Sequence, residues 1–350
     1  MIVVTPIAIP ISAVNSTTAS TTFGPAEWAP NTSYSIGTQV SCISKNSVFS
    51  SLNAAINHNP ADSDWATYWT LVGAIETYQD PVAWDNAWTY DPYSLTHDEV
   101  TYSNGVYVSL AMSNVGYQPD TNPTKWGLKR YTNKYAMFDT ASSSYTRATT
   151  SFDVVFACPN VDTLAFIGCK GSTISVTVKS TLGGTTVYSS GSVSLTTTGV
   201  LGNTIQKPLM LFTSIPKYAG SYVYVTISGT GTVWCTTCIG GNSLPLGNAQ
   251  YSASTGIHDY SRKATDDVTG IVSLEQRHFA KTMNVQVRAN NTTITELTEA
   301  LEALRATPAL WVADETVALP LSVYGWYKDF SLVVDYPTCS VYSLQIEGMT

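Results

Sequence analysis

The residues of this chain that could do chemistry are few and scattered. Its four histidines, His58, His97, His258 and His278, fall in no metal-ligand spacing. Cys235 and Cys238 form a lone CxxC with no second pair nearby, so a tetrahedral metal site lacks two ligands, and both read as strand cysteines. The other cysteines, at 42, 158, 169 and 339, are too dispersed for a disulfide scaffold. There is no nucleophile elbow, phosphate loop or dinucleotide fingerprint. Glycoside hydrolysis needs two carboxylates roughly 5–10 Å apart across the scissile bond. Asp259, Asp266, Asp267 and Glu275 are the acids to weigh for it, although Asp266 and Asp267 read as a turn before a strand. No catalytic residue, metal or cofactor is expected.

Aromatic residues are the abundant resource: 21 Tyr, 9 Trp and 9 Phe. A ring with an exposed face can stack on a pyranose while amides or carboxylates bind its hydroxyls. Trp69, Tyr90 and Tyr117 are the rings least tied to a core pattern, with Asn59 and Gln118 as polar partners and Asn57, Asp62 and Asn114 nearby. Trp28, Tyr34, Phe49, Trp65, Trp88, Tyr93, Tyr107 and Trp126 are spaced like the core residues of small modules. Exposed rings with few charges suit neutral polysaccharide.

The elements that would position these residues are strands. Turn signals such as Asn104-Gly105 and Gly183-Gly184 recur about every ten residues, between runs that alternate with period two, as in 173–178 and 221–227. This is an all-β pattern with a β-sandwich body. One amphipathic helix interrupts it near 293–306: Thr293 and Glu296 form a capping box, Ile294, Leu297, Leu301 and Leu304 share a face, and Pro308 ends it.

Composition excludes other classes. With 17 basic against 25 acidic residues, the chain has no basic footprint for nucleic acid. No apolar run reaches the roughly 18–20 residues of a membrane span, and aromatic content argues against disorder. The apolar start, 1–10, lacks a basic n-region, since the first cation is Lys45, and it carries Pro6 and Pro10. It reads as an ordered arm, not a targeting segment.

An internal repeat spans about 23–131. The first copy runs Trp28, Tyr34, Val40, Phe49, Asn59-Pro60, then Trp65 and Trp69. The second runs Trp88, Tyr93, Val100, Tyr107, Gln118-Pro119, Trp126. This pattern resembles the small chitin- and cellulose-binding modules of carbohydrate-binding families 5 and 12, best in 100–108 and 118–126. It departs from them where their adjacent, sugar-stacking tryptophans belong: 50–55 and 109–114 carry none. The resemblance therefore implies the module fold more firmly than chitin specificity.

The whole chain also resembles tail-associated proteins of tailed bacteriophages. The residues that carry this are the N-terminal arm, the modules, the 132–139 segment from Thr132 to Asp139, and the stretches 259–263, 277–281, 324–330 and 345–349. The resemblance implies an arm (1–22) packing on the body, module one (23–75), module two (76–131) and a β-sandwich body (132–350). It implies a non-enzymatic virion component, assembled in the host cytoplasm, whose modules touch host-surface polysaccharide. Its partners would be further copies of itself and other tail proteins, with no nucleic acid and no membrane insertion. The alternatives are a glycan-degrading tailspike-type hydrolase and a purely architectural virion protein.

Overall fold

In a computed structural model, the period-two runs are alternations of burial. Ile174, Val176 and Val178 of Thr173–Lys179, and Val223, Val225 and Ile227 of Tyr222–Ser228, all point inward. The structure describes every residue except 20–24, 43, 44, 46, 54–56, 75–79, 93–98, 140–143, 200, 252, 266–271, 314–320, 335, 336 and 350. Strand accounts for 52% of the chain and helix for 8%, so the fold is all-β. No helix among the described residues is long and apolar enough to cross a membrane.

Among the described residues, three two-stranded sheets and two large ones build the body. The smaller runs Thr186–Ser194, Thr173–Lys179, Tyr222–Ser228, Ser151–Ala157, Val14–Thr17. The larger runs Leu209–Phe212, Thr163–Ile167, Thr237–Pro245, Ile2–Ile7, Ala309–Val312, Ser322–Val333, Cys339–Gly348, Phe279–Asn290. Asn248–Ala249 and Ser254–Asp259 both pair onto its last strand. Phe152, Val154 and Phe156 of the small sheet share one core with Leu164, Phe166, Met210 and Phe212 of the large one, which makes this half a sandwich. The rest of the large sheet packs Val285, Val287, Trp311, Tyr342 and Leu344 against Leu297 and Leu301 of the helix.

That helix, Ile294–Ala303, starts differently from the sequence expectation. Thr293 makes no side-chain cap, so the capping box with Glu296 does not form. A 3-10 turn at Asn291–Thr293 precedes the helix instead, and the Asn290 side chain accepts from Thr292 N. Asn is as good a cap as Thr, and it takes the earlier position.

The arm joins the two halves. Ile2–Ile7 pairs on one side with Thr237–Pro245 and on the other, through Ile2–Val4, with Ala309–Val312. Pro6 lies beyond the last residue paired to Ala309–Val312, where one neighbour is already absent and a missing N–H is tolerated. Val14–Thr17 then forms an edge of the small sheet by pairing with Ser151–Ala157. The modules leave the body just after one of these paired strands and return just before the other.

Each module is a three-stranded antiparallel sheet: Gln39–Cys42, Ser47–Ser51 and Trp69–Ala74 in the first, Glu99–Tyr102, Gly105–Ser109 and Trp126–Tyr131 in the second. The hairpin of module two turns on Ser103 and Asn104, both at positive φ, and Gly105 already belongs to the next strand. Both middle strands carry a register shift at the same place, before Phe49 and before Tyr107.

The repeat is real, but its register differs from the sequence reading. The Tyr34 hydroxyl accepts from Ala29 N and the Tyr90 hydroxyl accepts from Asp85 N, five residues back in each case. The indole of Trp69 donates to His58 O, and that of Trp126 to Tyr117 O. Trp84 and Tyr90 therefore match Trp28 and Tyr34, and Trp69 matches Trp126. Trp88, expected in the core, is 42% exposed. Tyr93, also expected there, lies outside the described residues. Trp28 and Trp65, also expected in the core, only flank one built on Tyr34, Val40, Cys42, Phe49 and Trp69, and Tyr107 flanks the core of Tyr90, Val100 and Trp126.

Module two is tied to the body through Asp80. Its carboxylate pairs with Arg130 at 2.7 Å and accepts from Asn133 N at 2.8 Å. Asn133 in turn exchanges two hydrogen bonds with the Arg147 backbone. Ala136, Met137 and Phe138 follow as a buried 3-10 turn, with Met137 and Phe138 in the sandwich core.

Candidate functional site

Module two presents a surface built from two neighbouring loops. The first is the turn 85–91, where Asp85 Oδ1 accepts from Ala87 N and the Trp88 ring stands outward. The second is 111–118. Tyr90 and Asn114 exchange backbone hydrogen bonds, and Asp91 Oδ1 accepts from Ser113 N at 2.5 Å, so the loops are held side by side. The second loop is anchored from below: the buried Asn114 amide donates to Ser109 Oγ and to Lys125 O, and Trp126 Nε1 donates to Tyr117 O at 2.7 Å. A rigid base thus carries Tyr117, which is 44% exposed.

Polar and charged groups border that ring. The Lys125 Nζ sits 5.1 Å from the Tyr117 ring centre. Gln118 donates from Nε2 to Asp120 Oδ1 at 2.7 Å, and its backbone carbonyl accepts from Asn122 Nδ2. A half-exposed ring with an ammonium over it and a neighbouring amide can hold a small polar ligand by stacking and hydrogen bonding.

The other residues singled out in the sequence go elsewhere. Trp69 and Tyr90 are 1% and 0% exposed, so neither can offer a ring face to a sugar; they are the central rings of the two module cores. Burial pushes the Tyr90 hydroxyl pKa up against the hydrogen bond from Asp85 N, which lowers it. Asn59 spends its Oδ1 on Ala61 N, fixing the turn before the short helix Trp65–Tyr68. Asn57 and Asn31 hold each other.

Two exposed features of the site were missed from the sequence, Trp88 and Lys125. The correct register of the repeat is the signal for both: Lys125 precedes Trp126 as Tyr68 precedes Trp69, and Trp88 lies four residues after Trp84, the ring that flanks the module core.

Of the acids weighed for hydrolysis, Asp259 and Glu275 are exposed. Asp259 ends the solvent-facing strand Ser254–Asp259. Hydrogen bonds from Ser261 hold its carboxyl below the ordinary value, the opposite of what a general acid needs. Glu275 pairs with Arg277 at 3.0 Å in solvent. Asp266 and Asp267, like His97, lie outside the described residues.

The six cysteines are buried and none is in a disulfide. Burial pushes Cys158 up to about 12 and raises Cys235 and Cys238 well above the ordinary value, so all three are poor nucleophiles. Among the described residues no three His, Cys, Asp or Glu side chains gather as metal ligands. A pocket of about 400 Å³ opens at the seam of the large sheet, lined by Ile167, Leu209, Leu310 and Tyr324 with His278 and Lys281. Among the described residues no carboxylate or thiol lines it. No protein-family model matches the chain, and no curated protein is significantly similar to it.

Proposed function

We propose that this chain is a non-enzymatic structural component of a bacteriophage tail, tail tip or fibre whose second module contacts host-surface glycan during adsorption. One observation carries the reading. The chain leaves the body after Val14–Thr17 and returns before Ser151–Ala157, and those two strands pair with each other. Both modules are therefore an excursion from one sheet edge, the topology of a displayed binding unit and not of a domain that completes the body's core. The fully exposed strand Ser254–Asp259, paired among the described residues on one side only, supports assembly contacts in the same way, since an open edge calls for a neighbour or protection.

The test uses the full chain, alone and as Trp88→Ala and Tyr117→Ala. Binding is measured to a panel of intact bacterial cells and purified polysaccharides. Saturable binding to at least one of them, weakened several-fold by either substitution at unchanged thermal midpoint, is the expected result. Absence of binding across the panel sinks the adsorption role and leaves an architectural protein.

A further inference from the structure

The two modules keep the same pair of chemistries at one surface position, with its members exchanged. The position is defined by the core. One member is the residue whose carbonyl accepts the buried indole N–H, His58 in module one and Tyr117 in module two. The other is the residue just before that tryptophan, Tyr68 and Lys125. In module one the His58 imidazole lies parallel to the Tyr68 ring, with centres 3.4 Å apart. In module two the Lys125 ammonium lies over Tyr117. An aromatic ring and a nitrogen base thus meet in both copies, although neither site holds the same residue twice. Two coordinated changes are needed to exchange them, which is what retention of the pair as a pair requires.

The copies differ in whether the base is free. His58 Nδ1 already faces Asp64 Oδ2 at 3.4 Å. Lys125 makes no ion pair among the described residues, in a chain where acids outnumber Lys and Arg by 25 to 17. Gln118 spends its amide N–H on Asp120, and its side-chain oxygen makes no hydrogen bond among the described residues.

Building on the glycan-contact reading above, we propose that Tyr117 and Lys125 of module two form a site for an acidic sugar of the uronic-acid class. The C–H face of the pyranose lies on the exposed side of Tyr117, the carboxylate meets the Lys125 ammonium, and a hydroxyl donates to Gln118 Oε1. This departs from the neutral polysaccharide expected from the overall scarcity of charge. Net charge governs encounter at long range, but at physiological salt it is screened beyond about 8 Å, whereas a contact pair is screened far less.

The experiment compares polygalacturonate, the same polymer with its carboxyl groups reduced to alcohols, and a neutral glucan as ligands for the full chain. Lys125→Met, Lys125→Arg and, as a surface-charge control, Lys129→Met are measured alongside. The expected result is binding to polygalacturonate that weakens with salt and falls roughly tenfold in Lys125→Met. Lys125→Arg and Lys129→Met retain it, and carboxyl reduction of the polymer removes it. Equal binding to the native and reduced polymers, or equal loss in Lys129→Met, overturns the acidic-sugar site while leaving glycan contact standing. Failure to bind any of the three polymers, with binding to other polysaccharides intact, also overturns it. Failure on every glycan removes the broader reading as well.

Discussion

Val3 and Val4 are consecutive residues that belong to different hydrophobic cores. Val3 packs with Trp311, Met283 and Leu344 beneath the helix, while Val4 packs with Ala165, Ile239 and Leu310 on the opposite face of the same sheet. Both are fully buried, which is unusual for neighbours on a strand and follows from its central place in the larger sheet.

Truncating either valine therefore wounds a different core of one continuous sheet. Val3→Ala and Val4→Ala are each expected to cost about 2 kcal/mol, read from urea midpoints followed by circular dichroism. A neutral result for either would mean that the strand is not clamped on both faces.

The tyrosine hydroxyls of the two modules should behave alike. Tyr34→Phe and Tyr90→Phe each remove the acceptor for a backbone N–H, at Ala29 and Asp85, and each should lower stability by about 1–2 kcal/mol. Trp126→Ala removes a core ring and its bond to Tyr117 O; about 3–5 kcal/mol is expected, enough to unfold a three-stranded module. Retention of the module's amide-exchange protection in that variant would contradict the core assignment.

Asp80 should hold module two to the body. Asp80→Ala strands the Arg130 guanidinium and the Asn133 N–H together, at about 2–3 kcal/mol. The discriminating readout is proteolysis around 132–139, which should become faster than in Asp80→Asn, where the shape is kept.

Acid should loosen the sandwich through Asp162. Burial alone would raise its pKa, but hydrogen bonds from Ser243 N and Thr163 Oγ1, with the Lys217 pair at 3.0 Å, together hold it below the ordinary value. A depressed folded pKa means the unfolded chain binds the proton more readily. The contribution is therefore complete above the unfolded carboxylate value of about 4 and is lost as pH falls through the folded one. Asp162→Asn should flatten the decline of stability between about pH 4 and 2, measured by urea titration at each pH. An unchanged slope would assign acid sensitivity to other carboxylates.

Some of this architecture could be read in advance for clear physical reasons. Where one sheet face is buried, as in Thr173–Lys179, alternation in the chain is alternation in space. The existence of the repeat was legible because small modules need large rings, and rings are conspicuous. Its register was not. Trp84 and Trp88 fit the same order of landmarks, as do Tyr90 and Tyr93, and only the five-residue hydroxyl loop shared by Tyr34 and Tyr90 separates them. The burial of Trp69 was hidden similarly: Trp65 stands one helical turn earlier, in the helix Trp65–Tyr68 that leaves it at the core's margin. The candidate site suffered most, because exposure of Tyr117 and Trp88 depends on which ring fills each core. The partners of Ile2–Ile7 lie more than 230 residues away, and local pattern carries no such information.

The position of Ile2–Ile7 also sets an order for synthesis. Ile2–Ile7 is made before both of its partners, Thr237–Pro245 on one side and Ala309–Val312 on the other. Both modules can close on local contacts well before either partner exists. Ile2–Ile7, buried on both faces at Val3 and Val4, must wait until residue 312 has been made. Pairings of such sequence separation are slow to form and leave apolar strand edges uncovered meanwhile. Nascent chains truncated before residue 312 should therefore hold folded modules on an unfinished body, and would be the most aggregation-prone species in the life of this protein.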